Sequence, residues 1–140
     1  MAEFIAVPLQ TVEANQNILF TDTAICGSNS IVHRNGSGLV TMRGITNQCR
    51  ARYRVAFGAN IAIPTGGTVG EISVAIETNG EPVSSTIMTV TPAAVEEFFN
   101  VSRVTHIDVP AGCCLQVSVG NISTQAIEVE NANLIVERVA

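Results

Sequence analysis

Three arginines at alternate positions, Arg50, Arg52 and Arg54, are the residues of this sequence best suited to binding chemistry. On a strand they would project from one face at intervals of about 6.6 Å, because the rise per residue is about 3.3 Å. A row of guanidinium groups binds carboxylates through paired N–H donors. Three interpretations stay open: a solvated sheet face, contacts with carboxylates of a partner subunit, or a site for an acidic glycan.

Four cysteines are the other reactive side chains: Cys26, Cys49, Cys113 and Cys114. They contain no CxxC motif, so their spacing predicts no metal site. Because Cys113 and Cys114 are adjacent, a strand would point them to opposite faces, and we expect one to be buried as a small hydrophobic residue. A Cys26–Cys49 disulfide is compatible with the spacing, although a reducing cytoplasm favours free thiols.

No residue pattern in the chain indicates catalysis. His33 and His106 stand apart from any metal-ligand spacing, and the consecutive Glu96 and Glu97 would diverge on a strand. The glycine-rich segment 66–70 lacks the lysine of a phosphate-binding loop, and no nucleophile-elbow, zinc-protease or dinucleotide-binding motif occurs. We therefore predict a protein that is not an enzyme and uses no metal or cofactor.

The composition limits the partners. The chain has 140 residues, a net charge of −5 and one basic cluster, which argues against nucleic acid. No apolar run is long enough to cross a bilayer, and the N-terminus lacks a basic, apolar leader, so we expect synthesis in a bacterial cytoplasm without a signal peptide. With 46% hydrophobic and only 14% charged residues, some apolar surface is expected to meet another subunit.

The arginines belong to a long alternating segment, Cys49 to Ile63, which the rest of the chain must support. Its odd positions are all apolar, so the pattern predicts one strand with a core side and an arginine side. Such a strand needs a sheet, and we expect a second sheet packed over it. Tyr53, the only tyrosine, is on the inward side and tryptophan is absent, so a glycan site would depend on arginine rather than on aromatic stacking.

The remaining segments read as short strands separated by turns. Asn35–Gly38 and Asn79–Gly80 are hairpin signals, and Ser85–Thr91 is expected to be the strand that returns after the second of them. Only Ala93–Phe99 has a pattern in which a helical turn competes with a strand, and there we favour a loop that leads into a strand from Phe98 to Val109. Two further strands, Ala126–Glu130 and Ala132–Val139, are expected to close the chain. We predict an all-β protein: a single antiparallel β-sandwich of the jelly-roll type, with eight to ten strands in one domain over residues 1–140.

The N-terminal segment Phe4–Val12 contains Pro8 and is predicted to be a short edge strand or an arm. An arm would carry its apolar side chains to an attachment partner. The candidate attachment residues are Phe4, Ile5, Val7 and Leu9.

Three segments carry a resemblance to a known family. They are the strand that follows Gly44 and contains Tyr53 and Val55, the hairpin segment Ile72–Val83 with its Asn-Gly-Glu-Pro-Val ending, and the closing strand Ala132–Ala140. Together they resemble the compact jelly-roll heads of the tumour-necrosis-factor and complement globular-head superfamily. Among these heads, they are similar to the C-terminal domain of the collagen-like spore-surface glycoprotein and to head domains on phage surfaces.

The resemblance implies a homotrimer without catalytic activity, in which apolar strands meet at a threefold axis. It also implies a structural or display role on a virion or on a cell or spore surface assembly, in contact with a larger particle or surface protein. One departure is clear, because the chain has no collagen-like Gly-x-y stem. This difference favours a head that attaches to something else.

Overall fold

The computed structural model describes residues 1–140, and its strands form two six-stranded antiparallel sheets that pack as a sandwich. The strands are β1 (Ala2–Ala6), β2 (Gln10–Val12), β3 (Asp22–Ile25), β4 (Ile31–His33), β5 (Val40–Arg43), β6 (Arg50–Ala62), β7 (Ile72–Thr78), β8 (Glu81–Pro82), β9 (Met88–Val90), β10 (Phe99–Pro110), β11 (Cys114–Asn121) and β12 (Ile127–Arg138). The predicted all-β sandwich is confirmed. Very short strands such as β2, β8 and β9 raise the number above the expected eight to ten.

The two sheets are named A and B here. Sheet A has the order β10-β6-β12-β1-β3, with β2 also paired to β12. Sheet B has the order β4-β5-β11-β7-β8, with β9 also paired to β7. The long strand β10 is therefore an edge of sheet A, and β6 lies between β10 and β12.

Strand β6 alternates between buried and half-buried residues along its length, as the sequence pattern predicts. Its odd positions, from Ala51 to Ile61, face sheet B and are fully or almost fully buried. Its even positions, from Arg50 to Asn60, lie on the opposite face, which we call the outer face of sheet A. The predicted long strand with a core side and an arginine side is confirmed.

The space between the sheets is filled by one cluster of buried apolar side chains from both sheets. Tyr53 is its largest fully buried member, and its hydroxyl donates a hydrogen bond of 2.7 Å to the carbonyl oxygen of Arg43. A buried phenol needs such a partner because an unpaired hydroxyl is costly to desolvate. The bond joins β6 of sheet A to the end of β5 in sheet B.

At two turns the backbone geometry explains why particular residues are required. Asn79 and Gly80 both have positive φ, at 50° and 85°, as a two-residue hairpin turn of the predicted kind demands. At Gly44 the reason is a close approach, because a Cβ there would collide with the carbonyl oxygen of Pro110. The Gly44 amide donates a 2.8 Å hydrogen bond to Cys113, which joins the loop before β6 to the turn after β10.

Three details differ from the sequence-based expectations. Strand β1 lies inside sheet A between β12 and β3, and only the short β2, paired with β12 alone, is the edge strand expected near the N-terminus. A 3-10 turn, Ser84–Thr86, occupies the start of the expected return strand, since the Thr86 side chain bonds the backbone there. The closing residues form one strand, β12, whose register shifts around Asn131, rather than two strands. The Ala93–Phe99 segment is irregular until β10 begins at Phe99, as the favoured loop leading into a strand predicts. The structure also contains no helix long and apolar enough to cross a membrane.

Candidate functional site: the outer face of sheet A

The three predicted arginines lie together at one end of the outer face of sheet A. Two of them share one acid on β10, since Arg52 Nε lies 2.8 Å and Arg50 Nε 3.4 Å from the Asp108 carboxylate. Arg52 also donates through a second nitrogen at 3.2 Å, which makes its contact bidentate. Arg54 lies 3.9 Å from Glu137 on β12. We call this group the arginine end.

These ion pairs change the ionisation of their members. The hydrogen bond from Arg52 and its charge lower the pKa of Asp108, although partial desolvation acts against them. The same contact raises the pKa of Arg52. His106 is the cross-strand neighbour of Arg54 and lies on the same face as Asp108. Because all these side chains are substantially exposed, water screens their attraction.

An apolar band crosses the middle of the same face. Val104 on β10 pairs with Ala56 on β6, which pairs with Ile135 on β12. Val104 is 52% exposed, and Ala56 and Ile135 are half-buried. In the next row Gly58 pairs with Ser102 and Asn133, and the Asn133 side chain lies close beside Gly58, so that row is polar. The apolar band is therefore one row of three residues with the small Ala56 at its centre.

The opposite end of the face is acidic. Glu128 on β12 pairs with Ala62, the last residue of β6, and only 8% of its surface is exposed. Glu96, in the loop between β9 and β10, lies at the same end, because its amide donates a 2.8 Å hydrogen bond to the carbonyl oxygen of Ile63, next to Ala62. Burial and the neighbouring Glu96 raise the pKa of Glu128, and Glu128 lowers the pKa of Glu96. Glu96 in turn accepts two 2.9 Å hydrogen bonds from Thr65, one from the amide and one from the hydroxyl.

This carboxyl pair was not predicted from the sequence. Glu96 stands next to Glu97 in the chain, whereas its partner Glu128 is 32 positions away. The one available signal was the position of Glu128 between the apolar Ile127 and Val129 at the start of a strand. Such a signal does not identify which acid lies opposite.

All four cysteines are free and exposed, so the prediction that Cys113 or Cys114 is buried is wrong. Both lie where the turn after β10 leads into β11, at the margin of the sandwich. The Cys49 carbonyl accepts a hydrogen bond from Ala111, so three of the four thiols lie at this end of the molecule. The Cys26–Cys49 disulfide that the spacing allowed is not formed.

The two histidines have different surroundings. The His33 ring packs 4.5 Å from that of Phe4, and its Nε2 bonds the carbonyl oxygen of Ser37 at 2.9 Å. His106 lies on the outer face of sheet A. No group of three histidine, cysteine, aspartate or glutamate side chains is arranged to hold a metal ion.

The four candidate attachment residues differ in burial and in location. Phe4 is 3% exposed and belongs to the core, because β1 is an interior strand. Ile5 is half-buried on the outer face, where it pairs with Asn133. Val7 and Leu9 are exposed in the segment between β1 and β2. Only these last two are placed where an apolar attachment contact would need them.

Comparisons with known proteins identify the fold but not a family. No protein-family model and no curated protein matches the sequence. Among solved structures, the chain is similar to Eiger TNF from S. frugiperda, with a TM-score of 0.72 and 10% identity over 99% of this chain and 91% of that one.

Two further structures are similar over nearly their whole length. The globular domain of the zebrafish complement 1qA protein has a TM-score of 0.58 and 8% identity, covering 96% of this chain and 94% of that one. The PRD1 vertex protein P5 has a TM-score of 0.55 and 10% identity, covering 99% and 96%. The chain therefore has the TNF-like jelly-roll fold that its sequence resembles. At these identities the similarity shows the fold alone.

Proposed function

We propose that the protein is a non-enzymatic structural or display head that forms a homotrimer on a phage particle or bacterial surface assembly. Each copy would bury part of the outer face of sheet A against the next copy. The apolar band of Val104, Ala56 and Ile135 is the observation on which this proposal rests.

The band has the character of a contact surface. Apolar side chains from three adjacent strands are continuous across it, and the small Ala56 lies at its centre. Exposed apolar surface that spans several strands marks interaction sites more often than scattered single residues do. Beside it, β10 is a twelve-residue edge strand whose outer side pairs with no other strand of the chain, although Arg103 donates a hydrogen bond to the carbonyl oxygen of Ile87. An unpaired strand edge is a surface to which another chain can add.

A second copy is the occupant we favour. The family resemblance implies a trimer whose apolar strands meet at a threefold axis, and sheet A supplies apolar residues on its outer side. Symmetric homo-oligomers are also the commonest assemblies of soluble proteins. The structural similarity to heads of the TNF-like type supports this choice.

The location on a particle or surface assembly has separate support. A protein named as a vertex protein, PRD1 P5, shares the fold over nearly the whole chain. The exposed Val7 and Leu9 offer apolar side chains for attachment.

Replacing both Val7 and Leu9 with serine should release the head from the particle that carries it, because the apolar contact is lost. The native mass of the head should stay unchanged. A pull-down with that particle measures the release, and light scattering measures the mass.

The test of the trimer is the native mass, measured by light scattering on a sizing column over a range of concentrations. We expect three times the chain mass of 14.7 kDa, with and without reductant. Val104→Glu places an unpaired carboxylate in the proposed contact, where desolvation is costly, so we expect it to give single chains. Circular dichroism would show whether that variant keeps its β-structure.

Val32→Glu is the matched control, because Val32 is 41% exposed on β4 of sheet B, away from the proposed contact. It should keep the mass of three chains. A wild-type protein that remains a single chain at high concentration would overturn the trimer, and so would a folded Val104→Glu variant that still has the mass of three chains.

The second candidate function is a receptor- or acidic-glycan-binding head that uses Arg50, Arg52 and Arg54. The favouring observation is the balance of charge at the arginine end, where three guanidiniums face only the two carboxylates of Asp108 and Glu137. A ligand carboxylate or sulfate would compete with these acids for exposed N–H donors.

A further inference from the structure

We infer that Glu128 and Glu96 share one proton and that this proton holds the β9–β10 loop against the end of sheet A, forming a pH-sensitive latch. The inference does not depend on the proposed trimer or on any ligand. It rests on how the two carboxyl groups are placed and on the absence of a base beside them.

The first observation is an unpartnered buried atom. Glu128 Oε2 is buried and has no hydrogen-bond partner among the protein's donors. An ionised carboxylate in such a position would lack both solvent and a donor, which is strongly unfavourable. A protonated Glu128 changes the situation, because its O–H can donate to the Glu96 carboxylate that lies within reach.

The second observation is that the backbone holds Glu96 in place. Its amide donates a 2.8 Å hydrogen bond to the carbonyl oxygen of Ile63, next to Ala62, the strand partner of Glu128. Its φ is +60°, a left-handed conformation that a side chain with a Cβ disfavours. The surrounding contacts therefore keep Glu96 in an unfavourable backbone state directly beside Glu128.

The third observation is that no positive charge lies at this end. The neighbours of Glu128 across β2 and β6 are Thr11 and Ala62, which do not titrate, and the other charges acting on it are the carboxylates of Glu96 and Glu130. None of the ion pairs of the protein includes Glu96 or Glu128. Two ionised carboxylates in contact would repel each other, and a shared proton removes this repulsion.

The ionisation of both groups agrees with this arrangement. Burial, followed by the hydrogen bond with Glu96, raises the pKa of Glu128. The hydrogen bonds of Glu128 and Thr65 lower the pKa of Glu96. Because Glu96 accepts both hydrogen bonds from Thr65 and Glu128 is the buried member of the pair, we assign the proton to Glu128 and the charge to Glu96.

The shared proton determines how the stability of the folded state changes with pH. A group whose pKa is raised by folding stabilises the folded state below its unfolded pKa, and this stabilisation is lost as pH rises through the folded value. When the proton leaves to solvent, the pair carries two negative charges, and the loop loses its bond to β12. The contacts between Glu96 and Thr65 are then opposed by repulsion from Glu128.

The experiment is thermal unfolding between pH 4 and pH 9 for the wild type, Glu128→Gln, Glu96→Gln and the control Glu97→Gln. Each glutamine at 128 or 96 can donate an N–H bond to the remaining carboxylate without a proton from solvent. We expect the wild type and Glu97→Gln to lose stability as pH rises above the ordinary glutamate range. Glu128→Gln should be flatter and should melt about 4 °C higher than wild type at pH 8.

Parallel pH curves for the wild type and Glu128→Gln would overturn the latch. Should Glu128→Gln fail to fold, Glu96→Gln and direct observation of the wild type decide the matter. Carbon-13 NMR titration of the glutamate carboxyl groups, assigned with Glu96→Gln, should show one group that titrates well above the others. A set of glutamates that all titrate in the ordinary range would contradict the shared proton.

Discussion

The two faces of strand β6 differ in what surrounds them. On the inner face Tyr53, Val55 and Ile61 have no exposed surface and pack against sheet B. On the outer face every even-numbered residue from Arg50 to Asn60 is half-buried. The difference indicates that the inner face maintains the fold, whereas the outer face is available for contacts outside the chain.

The outer face itself has two unlike ends. At the arginine end, exposed guanidiniums neutralise Asp108 and Glu137, so every acid has a base. At the other end, Glu128 is buried and its nearest charged neighbours are also acids. The favoured ionisation state of an acid therefore differs between the two ends of this face. Water and arginine stabilise the charged carboxylate at one end, and burial favours the neutral carboxylic acid at the other.

The largest expected change in stability is at Ile61, on the inner face of β6. Ile61→Ala removes a fully buried side chain from the core and leaves a cavity, so we expect a loss of about 2–5 kcal/mol in the free energy of unfolding. Urea denaturation at several protein concentrations measures it. The control is Asn60→Ala, one residue away on the outer face, which should change stability by about 0.5 kcal/mol or less. Equal losses in the free energy of unfolding for the two variants would contradict the conclusion that the inner face, and not the outer face, maintains the fold.

The second effect concerns the one hydroxyl on the inner face. Tyr53→Phe removes only the phenolic oxygen and leaves the Arg43 carbonyl, its acceptor at 2.7 Å, without that partner. We expect a loss of about 1–3 kcal/mol, because a buried acceptor without a donor keeps its desolvation cost. Urea denaturation measures the loss, and light scattering should give an unchanged native mass. A stability equal to wild type would mean that water replaces the bond.

Much of the fold was predictable because it depends on local patterns. The odd-position apolar residues of Cys49 to Ile63 fixed both the existence of β6 and its inward face, and a one-residue slip would have exposed all of them. The Asn79-Gly80 pair predicted its hairpin because few other residues accept two successive positive φ values. These features needed no knowledge of distant contacts.

Several of the failures depended on distant pairing. Pro8 suggested a short edge strand or an arm over Phe4–Val12; β2, after the proline, is a short strand paired only with β12, but β1 ends at Ala6, before the proline, and pairs on both sides. The partners of the arginines on β6, Asp108 and Glu137, come from β10 and β12, and the sequence names no pairing order. The same applies to Glu96 and Glu128. The binding roles of Arg50, Arg52 and Arg54 stay predictions.

The smallest expected effect on stability is at the arginine end, where Asp108→Asn removes the charge that Arg50 and Arg52 share. Because these side chains are exposed, we expect only a small loss in the free energy of unfolding at neutral pH. Since Arg52 lowers the pKa of Asp108, the ion pairs stabilise the protein above the ordinary aspartate pKa, and this contribution is lost as pH falls through the lowered value. In thermal unfolding, the small difference between Asp108→Asn and the wild type should therefore be present at neutral pH and disappear in acid, whereas the difference between Glu128→Gln and the wild type should grow as pH rises.

The same variant tests the alternative function, because it frees two guanidiniums for an anionic ligand. If the stripe of Arg50, Arg52 and Arg54 binds acidic glycans, Asp108→Asn should be retained more strongly than wild type on an immobilised sulfated polysaccharide. Glu71→Gln is the matched control, since it changes the net charge equally at an exposed site outside the outer face. Equal retention of the two variants would assign any binding to overall charge, and the arginine end would then serve contacts between subunits or remain a solvated surface. Stronger retention of Asp108→Asn alone, reversed by adding Arg52→Ala, would instead make Asp108 the internal competitor of the ligand.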